Sequence, residues 1–253
     1  MKLLPGNAIH IGKRQEQQDA FALSDFEDRA FVEHGGYLAV IADGVGGLRY
    51  GAEAAELTVT QFLVSYQSKT IEQSIPASLD QALQCAQQAV LHEAERLNCL
   101  EEMGSTLVAA VIHQNQLYWR AVGDSHLYLF RDQRLSQLNP DHNYARNLQT
   151  QVEAGLISQN QADNHPDRQA LEYFIGLNPL PQDNIQHQPI VLKPNDKLLL
   201  CSDGVDGFLS TDRLITCLQD APMLAAQRIC DEVLALNHPY QDNLTAVVLG
   251  FQT

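Results

Sequence analysis

Five aspartates occupy positions where a carboxylate could do chemistry. Asp43 ends the apolar run of YLAVIADGVGG, Asp203 ends that of KLLLCSDGVDG, and Asp124 interrupts YWRAVGDSHLYLF. Asp19 in RQEQQDAF and Asp242 in QDNLTAVV stand beside further apolar segments. Taken singly, an aspartate at a strand end is an ordinary turn or capping residue. Taken together, these five suggest carboxylates gathered in space. Gly44, Gly46 and Gly47 sharpen the case for Asp43, since glycine lets the main chain approach a ligand closely or turn a carbonyl toward it.

Converging carboxylates repel one another strongly in a partly dry site. Raised pKa values, basic partners or bound cations would each relieve the repulsion. Few Lys or Arg lie near these motifs, which favours cations. All-oxygen ligands suit hard ions, Mg²⁺ or Mn²⁺, rather than zinc or copper. Two such ions can bridge a hydroxide and activate it for displacement at phosphorus. Arg14, five residues before Asp19, has the planar fork that holds a phosphate dianion. The neighbouring Asp124-Ser125-His126 does not make a catalytic relay, because adjacent strand residues point to opposite faces.

The elements that must position these residues are legible in part. Residues 38–42 and 197–201 read as short buried strands, and LTAVVLGF (Leu244 to Phe251) as a terminal strand. STLVAAVIHQNQLYWRAVGDSHLYLF reads as two or three strands, with HQNQ a hairpin turn and GDS a second break. Residues 51–66 form an expected helix. A second runs through SLDQALQCAQQAVLHEAERLN, with Ser78 and Gln81 as a capping box. A third is PMLAAQRICDEVLAL, with Pro222 in its first turn. Between about 141 and 176 the pattern becomes helical and polar, and ARNLQTQVEAGLI and DRQALEYFI look like short helices. Strands come in runs rather than alternating with helices, which favours α+β with antiparallel sheets.

Composition narrows the class. The chain has 253 residues, 45% of them apolar, with no Pro- or Ser-rich linker, and is expected to form a single domain over 1–253. A formal charge of −15, from 31 acidic and 16 basic residues, argues against a nucleic-acid or anionic-membrane partner. No apolar run reaches membrane-spanning length and no signal peptide is evident, so a cytoplasmic location is expected. The five cysteines follow no zinc-ligand spacing, and reduced thiols are expected.

In order along the chain, R14QEQQD19, D43GVGG47, G104ST106, G123DS125, C201SDG204 and D242N243 resemble the successive motifs of the PP2C-type (PPM) metal-dependent Ser/Thr protein phosphatases, the bacterial branch above all. The likeness runs from about Gly6 to Phe251. VEAGLISQNQADNHPDRQALEYFIG is similar to the flap subdomain of bacterial members, here at about 141–176. The resemblance implies a four-layer α-β-β-α sandwich, two antiparallel sheets flanked by helices. It implies that Asp43 bridges two metal ions, with the Gly44 carbonyl on one of them. Asp203 and Asp242 would hold the first ion, Asp19 would belong to the shell of the second, and Arg14 would bind the substrate phosphate. Asp124 with Asp203 would build a third, weaker site.

Hydrolysis of phosphoserine and phosphothreonine by a metal-bridging hydroxide is the implied activity. Phosphorylated proteins and Ser/Thr kinases are the implied partners of a monomer. A catalytically weak phosphoprotein-binding or sensor module on the same fold is the alternative, and a phosphatase of small metabolites or sigma-factor regulators a third reading. Three departures stand out. Gln17-Gln18-Asp19 replaces the usual Asn-Gln-Asp, Val45 replaces the common Met, and His126 stands where the family reads Arg in GDSR. His126 suits a packing or surface role better than that of a general acid, and His142 and His165 suit the local structure of the flap.

Overall fold

The computed structural model describes residues 2–180 and 188–252. Strand β1 (Lys2–His10) leads to β2 (Asp19–Leu23), helix α1 (Arg29–Gly35) and β3 (Tyr37–Asp43). Helices α2 (Gly51–Gln67) and α3 (Ile75–Leu97) follow, then strands β4 (Leu107–His113), β5 (Gln116–Val122), β6 (His126–Arg131) and β7 (Arg134–Gln137). Short helices α4 (Tyr144–Glu153) and α5 (Gln159–Asp163) interrupt the strands before β8 (Ile190–Val191) and β9 (Lys197–Cys201). The chain ends with α6 (Asp203–Asp206), α7 (Thr211–Cys217), α8 (Pro222–Ala235) and β10 (Leu244–Gln252).

Two five-stranded antiparallel sheets result, ordered β1-β10-β9-β6-β7 and β2-β3-β4-β5-β8. Strand alternation assembles the layers. In β3, Leu38, Val40 and Ala42 face α2 and α3, while Ala39 and Ile41 turn into the space between the sheets. In β9 and β10, Leu199, Cys201, Ala246 and Val248 pack toward α7 and α8, whereas Leu198, Leu200, Val247 and Leu249 fill the inter-sheet layer. Both faces of the central strands are dry, and this explains their continuous rather than alternating apolar runs. The α-β-β-α sandwich is therefore the observed architecture. Among the described residues no helix is long and apolar enough to cross a membrane.

Several local expectations need correction. The long helix begins at Ile75, capped by the Ser74 hydroxyl on the Ala77 amide at 3.4 Å, so Ser78 lies inside the helix and caps nothing. Pro76 explains the earlier start, because a first-turn proline forgoes an amide that has no partner there anyway. DRQALEYFI is not helical. Its backbone is taken by bridges, Leu171 with Asn143 and Ile175 with Ser105, which compete successfully with a helical turn. Strands β1 and β2 and helix α1 went unread, the strands because β1 carries Pro5 and Gly6 and β2 is only five residues long. HQNQ does form a hairpin turn, with Gln114 and Asn115 both at positive φ (50° and 61°), matching the twist of β4 and β5.

The inter-sheet layer is shared by both sheets, so the two halves should unfold together. Leu249→Ala, at a fully buried position in that layer, is expected to cost about 2–5 kcal/mol. Urea unfolding followed by circular dichroism and by the single Trp119 should keep one coincident transition. Two separated transitions would contradict a common core.

Candidate active site

All five aspartates sit at one end of the sandwich. Asp19 opens β2 and Asp43 closes β3, and antiparallel register sets them directly opposite each other. Like charges so placed destabilise a sheet unless something neutralises them. Asp203 follows β9 at the start of α6, Asp242 lies two residues before β10, and Asp124 lies in the turn between β5 and β6, where the chain passes from one sheet to the other. Gly204 lets these segments meet: a Cβ there would lie 1.8 Å from the Asn243 carbonyl oxygen.

Neighbouring polar side chains hold the aspartates in place. Ser202 Oγ and Thr245 Oγ1 each donate to Asp19 Oδ2 at 2.7 Å. The other oxygen of Asp19, Oδ1, is buried without a protein partner. Thr106 accepts the Asp43 amide at 3.0 Å, returns its own amide to the Asp43 carbonyl at 2.7 Å, and meets Ser125 Oγ at 2.7 Å. One threonine thus ties the Asp43 strand to the Asp124 turn. Asn243 pins the Arg14 loop, donating to the carbonyls of Ile11 and Glu16 and accepting the Gln18 amide. Gln17 Oε1 caps the Asp19 amide at 3.0 Å, so the unusual Gln-Gln-Asp keeps a function. Ser202, Thr106 and Asn243 lie inside the recognised motifs; Thr245 carried no signal, because only the pairing of β10 across β9 brings it to Asp19.

A cleft of about 280 Å³ opens over this end. Asp43, Asp124, Asp203 and Asp242 form its floor with Arg14 at the side, while Gln169, Ala170 and Leu171 form a wall. Gly44 also lines it, its amide donating to the Gln18 carbonyl at 2.9 Å. Arg14 Nη2 lies 2.6 Å from Asp242 Oδ2. Asp19, Asp203 and Asp242 lie close enough to Asp43 to repel its charge. Among the described residues, no three His, Cys, Asp or Glu side chains are arranged as ligands about one point. His142 accepts the Gly123 amide at Nδ1 and His165 stacks against Tyr144, so both serve the flap's packing.

A family model described as protein phosphatase 2C matches residues 8–241. The chain belongs to that family. It is 29% identical over 217 residues to the serine/threonine phosphatase stp of Listeria monocytogenes, covering 84% of this chain and 83% of that one. It is 31% identical over 224 residues to the serine/threonine protein phosphatase PstP of Mycobacterium tuberculosis, covering 88% of this chain and 41% of PstP. The solved PstP catalytic domain in complex with two manganese ions superposes with a TM-score of 0.75 at 26% identity, over 98% of this chain and 97% of that one.

The electrostatics of this family member fit divalent cations. Burial pushes Asp19 up to about 6 against the hydroxyls that stabilise its charge. Burial and repulsion from Asp19, Asp203 and Asp242 drive Asp43 far above the usual carboxylate range. Solvent reaches Asp203 from the cleft, yet the protein beneath it desolvates the carboxyl and Asp242 repels it, so its pKa also rises. Burial and Asp203 raise Asp124 to about 7. Four acids held against their own charge, with an orphaned buried Asp19 oxygen among them, are a donor set suited to a hard cation.

Raised carboxylate pKa values have a definite sign in folding. The folded chain binds these protons more tightly than the unfolded one. Their stabilisation is therefore complete below the unfolded value near 3.8 and is lost as pH rises through about 6 to 7. In EDTA, the calorimetric midpoint should fall between about pH 5 and about pH 7.5, and Asp43→Asn should flatten the fall. Manganese should raise the wild-type midpoint more than that of the variant. Equal slopes for the two proteins would refute this account of the cluster.

Proposed function

We propose that this chain hydrolyses phosphoserine and phosphothreonine in proteins, using Mg²⁺ or Mn²⁺ held by its strand-end aspartates. Membership in the protein phosphatase 2C family makes it a divalent-metal-dependent phosphatase. The observation that supports the residue assignment is the meeting of Asp43, Asp203 and Asp242 with Arg14 around one cleft, with Asp19 set opposite Asp43 by the strand register. Asp43 would be the carboxylate shared by two ions. Asp203 and Asp242 would hold the first, and the Asp19 oxygen without a protein partner would serve the second. Gly44 offers its carbonyl, and Asp124 with Asp203 forms a third, weaker site. Bound ions supply a Lewis acid for the phosphoryl oxygens and acidify water for attack on phosphorus.

The chain's own groups complete the task. Arg14 exchanges Asp242 for substrate phosphate, whose oxygens fit the guanidinium fork in two parallel hydrogen bonds. Its placement beside the floor orients the ester bond away from the carboxylates. The wall of Gln169, Ala170 and Leu171 narrows the cleft, so that a flexible phosphorylated side chain on a substrate protein reaches the floor. Ser202, Thr245 and Thr106 keep the aspartates from relaxing apart while their charges are in demand. The protein acts as a monomer opposite Ser/Thr kinases in the cytoplasm.

Hydrolysis of a phosphothreonine peptide should require Mg²⁺ or Mn²⁺ and stop in EDTA. Asp43→Ala should lower kcat/KM by about 100-fold or more with the fold retained. Arg14→Ala should act mainly through KM, raising it by about 10-fold or more. Near-normal turnover in Asp43→Ala would refute the site assignment. Folded protein that binds Mn²⁺ but turns over no phosphoprotein would favour the sensor module.

A further inference from the structure

His126 is buried between two carboxylates on different parts of the fold. Its Nδ1 lies 2.5 Å from Asp206 Oδ2, at the end of the short helix that Asp203 begins. Its Nε2 lies 2.8 Å from Asp141 Oδ1, at the root of the flap. Carboxylates only accept, so both ring nitrogens donate, and each contact is charge-assisted. The flanking partners are filled as well. Tyr128 donates its hydroxyl to Asp206 at 2.8 Å, and Gln137 Nε2 donates to Asp141 at 2.8 Å.

From Asp141 a short hydrogen-bonded path reaches the cleft. His142 exchanges two bonds with Gly123, its amide to the Gly123 carbonyl at 3.1 Å and its Nδ1 to the Gly123 amide at 3.2 Å. Asn143 bridges to Leu171, and Tyr144 donates its amide to the Ala170 carbonyl at 2.9 Å. Ala170 and Leu171 line the same cleft as the aspartates.

We infer that His126 is a positioning residue: it clamps the flap root to the α6 helix and so sets the distance between the flap wall and the catalytic floor. The inference rests on the phosphatase reading for its kinetic consequence and on geometry for its mechanical one. A phosphorylated peptide touches both wall and floor. A small aryl phosphate engages the floor alone, where Ser202 and Thr245 hold Asp19 and Thr106 holds the Asp43 backbone independently of the clamp. A wall set loose therefore weakens peptide binding selectively. An arginine at this position, as in the family motif, also presents donors to two carboxylates.

The test compares a phosphothreonine peptide with 4-nitrophenyl phosphate for wild type, His126→Gln, His126→Arg and Asp141→Asn, with Mn²⁺ present. His126→Gln and Asp141→Asn should raise KM for the peptide by about 5- to 20-fold, with kcat/KM for 4-nitrophenyl phosphate within about twofold of wild type. His126→Arg should restore the peptide KM. Hydrogen exchange at the amides of Tyr144 and Ala145 should quicken in His126→Gln while β3 stays protected. Equal losses on both substrates would overturn the inference, and so would an unchanged peptide KM. If wild type hydrolyses neither substrate, the phosphatase reading fails, and hydrogen exchange alone decides the clamp: unchanged protection at Tyr144 would end it.

Discussion

Mutual repulsion among the carboxylates at one end of the sandwich is the constraint around which the rest of the molecule is arranged. Asp19 and Asp43 face each other across an antiparallel pair, and Asp203, just past the end of β9 in the other sheet, lies close enough to repel Asp43. Left to relax, such a cluster would splay apart or draw in water. It stays together because the strands carrying it are dry on both faces, wedged between helices on one side and the partner sheet on the other. The large apolar core supplies the rigidity, and the charged end draws on it.

Several small polar groups turn that rigidity into geometry. Thr106, Ser202 and Thr245 are buried hydroxyls whose bonds fix individual aspartate atoms, and Asn243 fixes the loop that presents Arg14. None of them is charged. Neutral donors raise no further repulsion, whereas lysines in their place would compete with cations for the same oxygens. Among the described residues, the one Lys or Arg lining the cleft, Arg14, is half-exposed and pairs with Asp242.

The flap is joined to this floor at both roots. Ile175 and Ser105 exchange backbone hydrogen bonds at one, next to Thr106, and residues 139–142 bind along the Gly123–Leu127 segment at the other. Position 126 belongs to the second root. There a histidine stabilised by two carboxylates, its pKa lowered by burial but raised by those partners to about 10, occupies a place where the family reads arginine. The substitution keeps a cation between Asp141 and Asp206 in a shorter side chain.

Order and spacing of motifs in the sequence identified the family and singled out the five aspartates and Arg14 as candidates, because Asp43 and Asp203 end apolar runs and Asp19, Asp124 and Asp242 stand beside or within others. The burial of β3 and β9 was readable for the same reason. Amphipathic spacing located α2, α3 and α8, though the start of α3 was misplaced, since a serine-proline entry competed with a plausible capping box. What tertiary structure alone decided was everything set by contacts between distant segments. Thr245 reaches Asp19 across 226 residues, and Leu171 pairs with Asn143 instead of turning into a helix. His126, read as a packing residue, became a bridge between two carboxylates only when folding brought positions 141 and 206 to either side of it. Local propensity and periodicity describe what a segment prefers; partners far along the chain determine which of its polar atoms are satisfied, and by whom.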